Sequence, residues 1–163
     1  MTPDRPALIS EDNAAFIQQG VSINVASRDV RHVPSLTRAL ACRLDGGRVR
    51  ILLLASQCGA LLRDIERCGQ VAAVFSQPST HRTLQIKGSD ARLDPPGDAD
   101  RACLAATEAA FARDLMLIGF DRAFVRRMFT HDPDDLRALV FTPADVFHQS
   151  PGPRAGERIA GGA

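Results

Sequence analysis

Arg38 and Arg43 are the two side chains of this sequence best suited to hold an anionic ligand. Segment 34–44 alternates with the period of a strand, and Arg38 shares its parity with an apolar row. That row consists of Leu36, Leu40, Cys42 and Leu44. A guanidinium that faces a core must be paired with a protein carboxylate, reach solvent at the end of the strand, or bind the phosphate of a ligand. Arg43 lies five positions later, on the opposite face unless a bulge intervenes, and the two arginines can flank one ligand.

A dense polar segment separates two apolar segments later in the chain. It consists of Pro78, Ser79, Thr80, His81 and Arg82. Such a corner either holds a bound group or is a solvated loop. His81 invites a catalytic role, but no serine or cysteine nucleophile can be paired with it from the sequence. The other histidines and the four cysteines have no metal-ligand or redox spacing, and no glycine-rich phosphate loop occurs.

Six strands are predicted, over 21–27, 34–44, 48–54, 70–77, 82–93 and 135–147. The sequence "DGG" at 45–47 predicts a tight hairpin between the second and third strands. Gly88 predicts a bend or bulge in the long fifth strand. Three strands follow one another directly, which favours a small antiparallel barrel over a parallel α/β sheet.

Four helices accompany these strands. Ser10 is predicted to cap a short first helix that ends near Gly20. Ser56 is predicted to cap a second helix that ends at Gly69, and the start of this helix offers free backbone N–H groups to an anion. Two further helical patterns cover 100–117 and 121–128. The elements predict a single domain over 1–149, followed by a flexible tail over 150–163.

Charge and composition exclude several classes of function. The 163 residues contain 20 Lys and Arg against 19 Asp and Glu, so no basic field favours nucleic acid or an acidic membrane surface. No apolar run predicts a signal peptide or a membrane span, and the cysteines lack a disulfide pattern, so we expect a cytoplasmic protein. Trp and Tyr are absent, and a bound chromophore would therefore dominate the absorption spectrum.

The order of elements resembles the pyridoxamine 5'-phosphate oxidase-like family, the FMN-binding split barrels. The resemblance runs from Ser10 to Leu93 and more loosely to Phe147. The matching segments are "GVSINVASRDVRHVPSLTRALACRL", "RVRILLL" followed by a helix, and "IERCGQVAAVFSQPSTHRTLQIKGSDARL". The resemblance implies a six-stranded antiparallel split β-barrel with flanking helices. It also implies a homodimer that holds FMN in grooves between the subunits.

The resemblance further implies which residues bind the cofactor. Arg38 and Arg43 match an arginine and a basic residue five positions later that contact FMN in the family. Ala39 and Leu40 would meet the isoalloxazine ring through their backbone. These four residues form the first half of the implied site.

The second half of the implied site comes from two later strands. Leu53 and Leu54 stand where family residues border the cofactor. Arg82 and Thr83 open the fifth strand, where the family places a polar side chain near the ring. Thr83 stands where a glutamine is common.

Two further departures from the family pattern affect the expected function. Many flavin-binding members carry an arginine–lysine pair at the start of the second helix, whereas this chain has Gly59, Ala60 and Leu61. The oxidase itself uses an arginine–x–histidine sequence on its substrate, and none occurs here, so we do not expect synthesis of pyridoxal phosphate.

Two hypotheses follow from the resemblance. The first is an FMN-dependent oxidoreductase that passes hydride from a donor such as a reduced nicotinamide to an unidentified small substrate, without a protein acid or base. The second is a non-catalytic dimeric binding module that keeps the barrel and holds haem, a deazaflavin or no cofactor. The missing cation pair favours the second hypothesis.

Overall fold

The computed structural model describes residues 8–161, so the first seven residues of the predicted domain and the last two of the predicted tail lie outside the described residues. The helices are α1 (Glu11–Gln18), α2 (Gly59–Cys68), α3 (Asp98–Leu117) and α4 (Arg122–Phe129). The first five strands are β1 (Ser22–Arg28), β2 (Pro34–Ala39), β3 (Ala41–Asp45), β4 (Arg48–Leu54) and β5 (Val71–Ser76). The remaining strands are β6 (Thr83–Gly88), β7 (Arg92–Asp94), β8 (Leu136–Phe141), β9 (Asp145–His148) and β10 (Arg158–Gly161).

The strands form two antiparallel sheets. The six-stranded sheet has the order β10-β9-β6-β5-β1-β2, and the four-stranded sheet has the order β3-β4-β8-β7. β3 and β4 are joined through Gly46 and Gly47, which confirms the predicted hairpin. Between residues 8 and 161, no helix combines the length and the apolar character that crossing a membrane requires.

Three predicted long strands are each divided between the two sheets, so the six predicted strands become nine, and β10 is the tenth strand. The segment 34–44 forms β2 and β3, the segment 82–93 forms β6 and β7, and the segment 135–147 forms β8 and β9. Gly88 lies at the second division, as predicted. A Cβ there would come within 2.5 Å of the Phe141 ring and 2.8 Å of the Thr142 carbonyl oxygen, so this approach requires glycine.

β2 corrects the predicted orientation of Arg38. The buried side chains of β2 are Thr37 and Ala39, whereas Leu36 is 68% exposed. Arg38 therefore projects from the outer face of the six-stranded sheet, beside an exposed leucine, rather than from an inward apolar row.

The reason is a change of phase between β2 and β3. Leu40 and Ala41 are consecutive, yet both pack on the helix side, and Cys42 then returns to the core between the sheets. The alternation is thereby shifted by one residue, as in a bulge. The shift also brings Arg43 to an outer face, where it contacts α3.

The start of α1 agrees with its prediction, whereas the start of α2 and the C-terminal segment differ from theirs. Ser10 caps α1 as predicted and accepts the Asn13 N–H. Ser56 does not cap α2, which starts at Gly59; its N–H and hydroxyl instead donate to the Asp135 carboxylate at 2.8 and 2.5 Å. The predicted tail contains β10, which pairs with β9, so segment 150–161 returns to the sheet.

The buried side chains form two hydrophobic clusters. The larger cluster lies between the two sheets and includes Val25, Ile51, Phe75 and Phe141. The second lies between the outer face of the four-stranded sheet and the helices α3 and α4. α3 packs against β3, and its later residues Ala110 and Phe111 approach Gly20 and Arg38.

Candidate functional site

Arg38 is a half-buried cation without a carboxylate partner among the described residues. Its Nη1 donates to Ser22 Oγ at 3.2 Å, and its guanidinium carbon lies 5.2 Å from the centroid of the Phe111 ring of α3. Its Nε is buried and has no hydrogen-bond partner. Burial lowers the pKa of Arg38 because desolvation disfavours the charged form. A buried donor of this kind is costly unless an acceptor binds it.

Arg43 is held in an ion cluster instead. Its Nε donates to the Asp100 carboxylate at 2.8 Å, and its Nη2 lies 3.2 Å from Asp45. Arg50 donates to the same Asp100 from its Nε at 2.8 Å and pairs with Asp94 at 3.0 Å. Arg38 and Arg43 therefore lie in different electrostatic environments, although both are on outer faces.

Asp100 is the centre of that cluster. It is fully buried in the first turn of α3, at 0% exposure. Burial alone would raise its pKa, but hydrogen bonds from Arg50, Gly97 and Arg43 lower the pKa to about 2. The carboxylate stays ionised at neutral pH and neutralises its arginine neighbours. The sequence analysis missed Asp100 because it lies 57 residues from Arg43 and 50 residues from Arg50.

Four apolar residues of the implied site are buried. Ala39 and Leu53 are in the core between the sheets. Leu40 and Leu54 are in the cluster beneath α3 and α4, at 5% exposure each. All four side chains are therefore covered by other residues of the same chain.

Arg82 and Thr83 make different contacts. Arg82 pairs with Asp12 at 2.5 Å, donates to Asn13 Oδ1 at 3.0 Å and stacks over Phe16, which attaches β6 to α1. Thr83 is half-buried on the outer face of the six-stranded sheet, and its Oγ1 lies 2.8 Å from Ser76 Oγ.

Arg38 and Thr83 are connected by small hydroxyl side chains on the outer face of the six-stranded sheet. Ser22 contacts Arg38, stands opposite Ser76 across β1 and β5, and Ser76 contacts Thr83. We call Ser22, Ser76 and Thr83 the hydroxyl row. The sequence analysis missed Ser22 and Ser76, although their alternation with buried Ile23 and Phe75 was visible.

The polar corner, residues 78–82, and the preceding Gln77 bind a side chain of the protein itself. The buried carboxylate of Asp114 in α3 accepts hydrogen bonds from Gln77 Nε2 at 2.9 Å and from the Ser79 N–H at 3.2 Å, and from the Ser79 hydroxyl. His81 is exposed, has a positive φ of 61°, and donates its N–H to the Gln77 carbonyl oxygen. The corner therefore anchors α3 to the turn between β5 and β6. No metal-binding group of His, Cys, Asp and Glu occurs among residues 8–161.

Solved structures with the same architecture are known, although no family model and no curated protein matches the chain in sequence. An F420 reductase has a TM-score of 0.54 at 16% identity, over 85% of this chain and 98% of its own. HupZ of Group A Streptococcus has a TM-score of 0.54 at 14% identity, over 91% and 99%.

A candidate pyridoxamine 5'-phosphate oxidase from Lactobacillus delbrueckii has a TM-score of 0.51 at 12% identity, over 85% of this chain and 92% of its own. At such identities the likeness establishes the fold alone. This agrees with the two antiparallel sheets and the outer helices described above. The chain therefore shares its fold with these three solved structures.

Proposed function

We propose that this protein binds a phosphorylated cofactor of the flavin type, FMN, with Arg38 as the cation for its phosphate. One observation carries the proposal: the Nε of Arg38 is buried without a hydrogen-bond partner, and no carboxylate of the described residues pairs with the guanidinium. An arginine can bind one phosphate through two N–H groups at once. Arg38 can therefore hold the phosphate although the arginine–lysine pair of the family is missing at the start of α2.

The residues around Arg38 fit such a ligand. The hydroxyl row supplies small donors and acceptors along the outer sheet face, and Thr83 belongs both to this row and to the implied cofactor site. Bound FMN would supply the hydride chemistry itself, with a reduced nicotinamide as a possible donor. The protein would bind and orient the cofactor, and the small substrate is unidentified.

The proposal includes a homodimer and closure of the strands into a six-stranded split barrel. Leu36 is 68% exposed on the same face as Arg38, and Asn24 beside it is also exposed. A second copy covering this face would remove apolar surface from water and enclose the ligand. The four cysteines are free, which suits a reducing cytoplasm.

A non-catalytic dimeric binding module is the second candidate, and specific contacts favour it. Arg43 is already neutralised by Asp100 and Asp45, and Leu40 and Leu54 lie beneath helices of the same chain. The first residues of α2, Gly59 and Ala60, carry no cation of their own. Such a module would hold haem, a deazaflavin or no cofactor.

The absorption spectrum of the purified protein separates these candidates. FMN binding predicts the flavin bands, retained after gel filtration of protein incubated with FMN. A Soret band would indicate haem, and a colourless protein after incubation contradicts FMN binding. Because the chain lacks Trp and Tyr, the ultraviolet absorption of a bound flavin or haem would also be almost free of protein absorption.

A pair of variants then tests the role of Arg38. Arg38→Ala should weaken FMN binding by about 10- to 150-fold, since a charge-assisted hydrogen bond is worth about 1.5–3 kcal/mol. Arg67→Ala is the matched control, because Arg67 is an exposed arginine in the last turn of α2. Equal affinities in the two variants would refute the assignment of the phosphate to Arg38.

A further inference from the structure

A cavity with two cationic residues in its walls lies on the outer face of the six-stranded sheet, at the end away from the hydroxyl row. Its volume is about 280 Å³, and its walls include Ala26, Arg28, Gln70, Ala72 and Lys87. Ala26 of β1 stands opposite Ala72 of β5, which stands opposite Lys87 of β6. The cavity therefore spans three neighbouring strands.

Two cations border this cavity. Arg28 follows Ala26 by two positions on β1, so their side chains point to the same face of the sheet. Its Nη1 donates to the Asp29 carbonyl oxygen at 3.3 Å, and none of the described carboxylates forms an ion pair with it. Lys87 is exposed, and its Nζ lies 4.7 Å from the centroid of the Phe147 ring. Lys87 also has no ion-pair partner among the described residues.

The acidic residues nearest in the fold are engaged elsewhere. Asp145 stands opposite Lys87 on β9, but its carboxylate binds Arg158. Asp29 follows Arg28, but its carboxylate accepts the N–H groups of Arg31 and Val33. The positive charge of Arg28 and Lys87 is thus not neutralised by these carboxylates.

The floor of the cavity leaves room for a ligand. Ala26 and Ala72 present only methyl groups between the two cations, so an oxyanion can approach the sheet closely. Gln70 adds an amide side chain at the edge. The Ser27 hydroxyl is already used, because it donates to the Gln70 carbonyl oxygen at 2.7 Å.

We propose that Arg28 and Lys87 form a binding site for the phosphate group of a small molecule. Two cations favour a dianion over a monocarboxylate, and the arginine fork matches the geometry of phosphate oxygens. The site is distinct from Arg38. Arg38 stands opposite Asn24, which lies four residues or about 13 Å along β1 from Arg28, and β2 lies about 14 Å across the sheet from β6, which carries Lys87. The site therefore does not depend on the proposed binding of FMN.

The test is a titration of the full chain with inorganic phosphate at constant ionic strength, followed by amide NMR shifts. The wild type should show saturable shifts at residues 26–28, 70–72 and 87. The double variant Arg28→Gln, Lys87→Gln should bind phosphate about tenfold more weakly or worse, and Arg63→Gln should bind as the wild type does. Acetate should bind about tenfold more weakly than phosphate.

Unchanged phosphate affinity in the double variant would overturn the site, as would a wild-type titration without saturation or with shifts confined to other residues. Equal affinity for acetate would overturn the preference for phosphate. A dispersed spectrum of the double variant shows that it is folded. Arg38→Ala should keep the shifts at residues 26–28 and 70–72, which separates this site from the proposed FMN site.

Discussion

Replacement of Asp100 by alanine tests the buried ion cluster that fixes the start of α3. The carboxylate accepts hydrogen bonds from Arg43, Arg50 and the Gly97 N–H, at 2.8 Å each. Breaking a buried ion pair costs about 3–5 kcal/mol, and we expect the lower end because Arg50 keeps Asp94 as a partner. For a chain of this size, a loss of about 3 kcal/mol lowers Tm by about 6–12 °C.

The pH dependence of this loss has a defined sign. The pKa of Asp100 falls from 3.8 to about 2 on folding, which corresponds to about 2.5 kcal/mol of stability. A lowered folded-state pKa stabilises the protein above pH 3.8, and this stabilisation disappears as the pH falls toward about 2. The difference between wild type and Asp100→Ala should therefore shrink in acid.

Urea unfolding followed by far-ultraviolet circular dichroism measures both effects. Asp98→Ala is the matched control, because Asp98 is an exposed aspartate in the same turn of α3. It should change the free energy of unfolding by less than about 0.5 kcal/mol. A loss below about 1 kcal/mol for Asp100→Ala, or a loss that is independent of pH, would refute the role of the cluster.

Three further experiments probe the packing of the helices and the burial of Cys58. Asp114→Ala removes the acceptor of the polar corner and should cost about 1–3 kcal/mol in urea unfolding; an unchanged midpoint would show that the corner does not anchor α3. Gly20→Ala should cost roughly 1–3 kcal/mol, since φ is 84° and the new Cβ would lie 2.6 Å from the Ala110 Cβ. Gly46→Ala, with a φ of 55° and open space around it, should cost less in the same assay, and equal losses would contradict this packing. Burial raises the pKa of Cys58 to about 11, so mass spectrometry should find slower alkylation of this thiol at about pH 8 in folded than in unfolded protein; equal rates would count against its burial.

Local patterns in the sequence were sufficient for the antiparallel architecture. The alternation in β1 and β5 matches their inward and outward side chains, and the hairpin between β3 and β4 forms where two glycines follow Asp45. Gly88 marked a bend because no side chain fits beside Phe141. These features depend on neighbours in sequence, which is why they could be predicted.

The division of long strands between sheets could not be predicted from the same patterns. The alternation shifts by one residue between Leu40 and Ala41. Because both residues are apolar, the even positions of segment 34–44 still read as one continuous apolar row in the sequence. The inward orientation predicted for Arg38 was wrong for this reason. β10 was not predicted either, because it has little apolar periodicity and forms by pairing with β9.

The residues of the implied cofactor site lie in different parts of the structure. Arg38 and Thr83 lie on one sheet face, joined through the hydroxyl row. Arg43 is taken up by Asp100, a contact between a strand and a helix that no local pattern indicates. The sequence left open whether the polar corner holds a bound group or is a solvated loop, and in the structure Gln77 and Ser79 bind Asp114 of the chain itself.

A crystal structure of the protein grown with FMN is the most direct test of the role of Arg38. We expect a phosphate oxygen of FMN to accept a hydrogen bond from the Nε of Arg38, while Arg43 stays bound to Asp100. FMN bound elsewhere, with the Arg38 Nε still lacking an acceptor, would contradict the account.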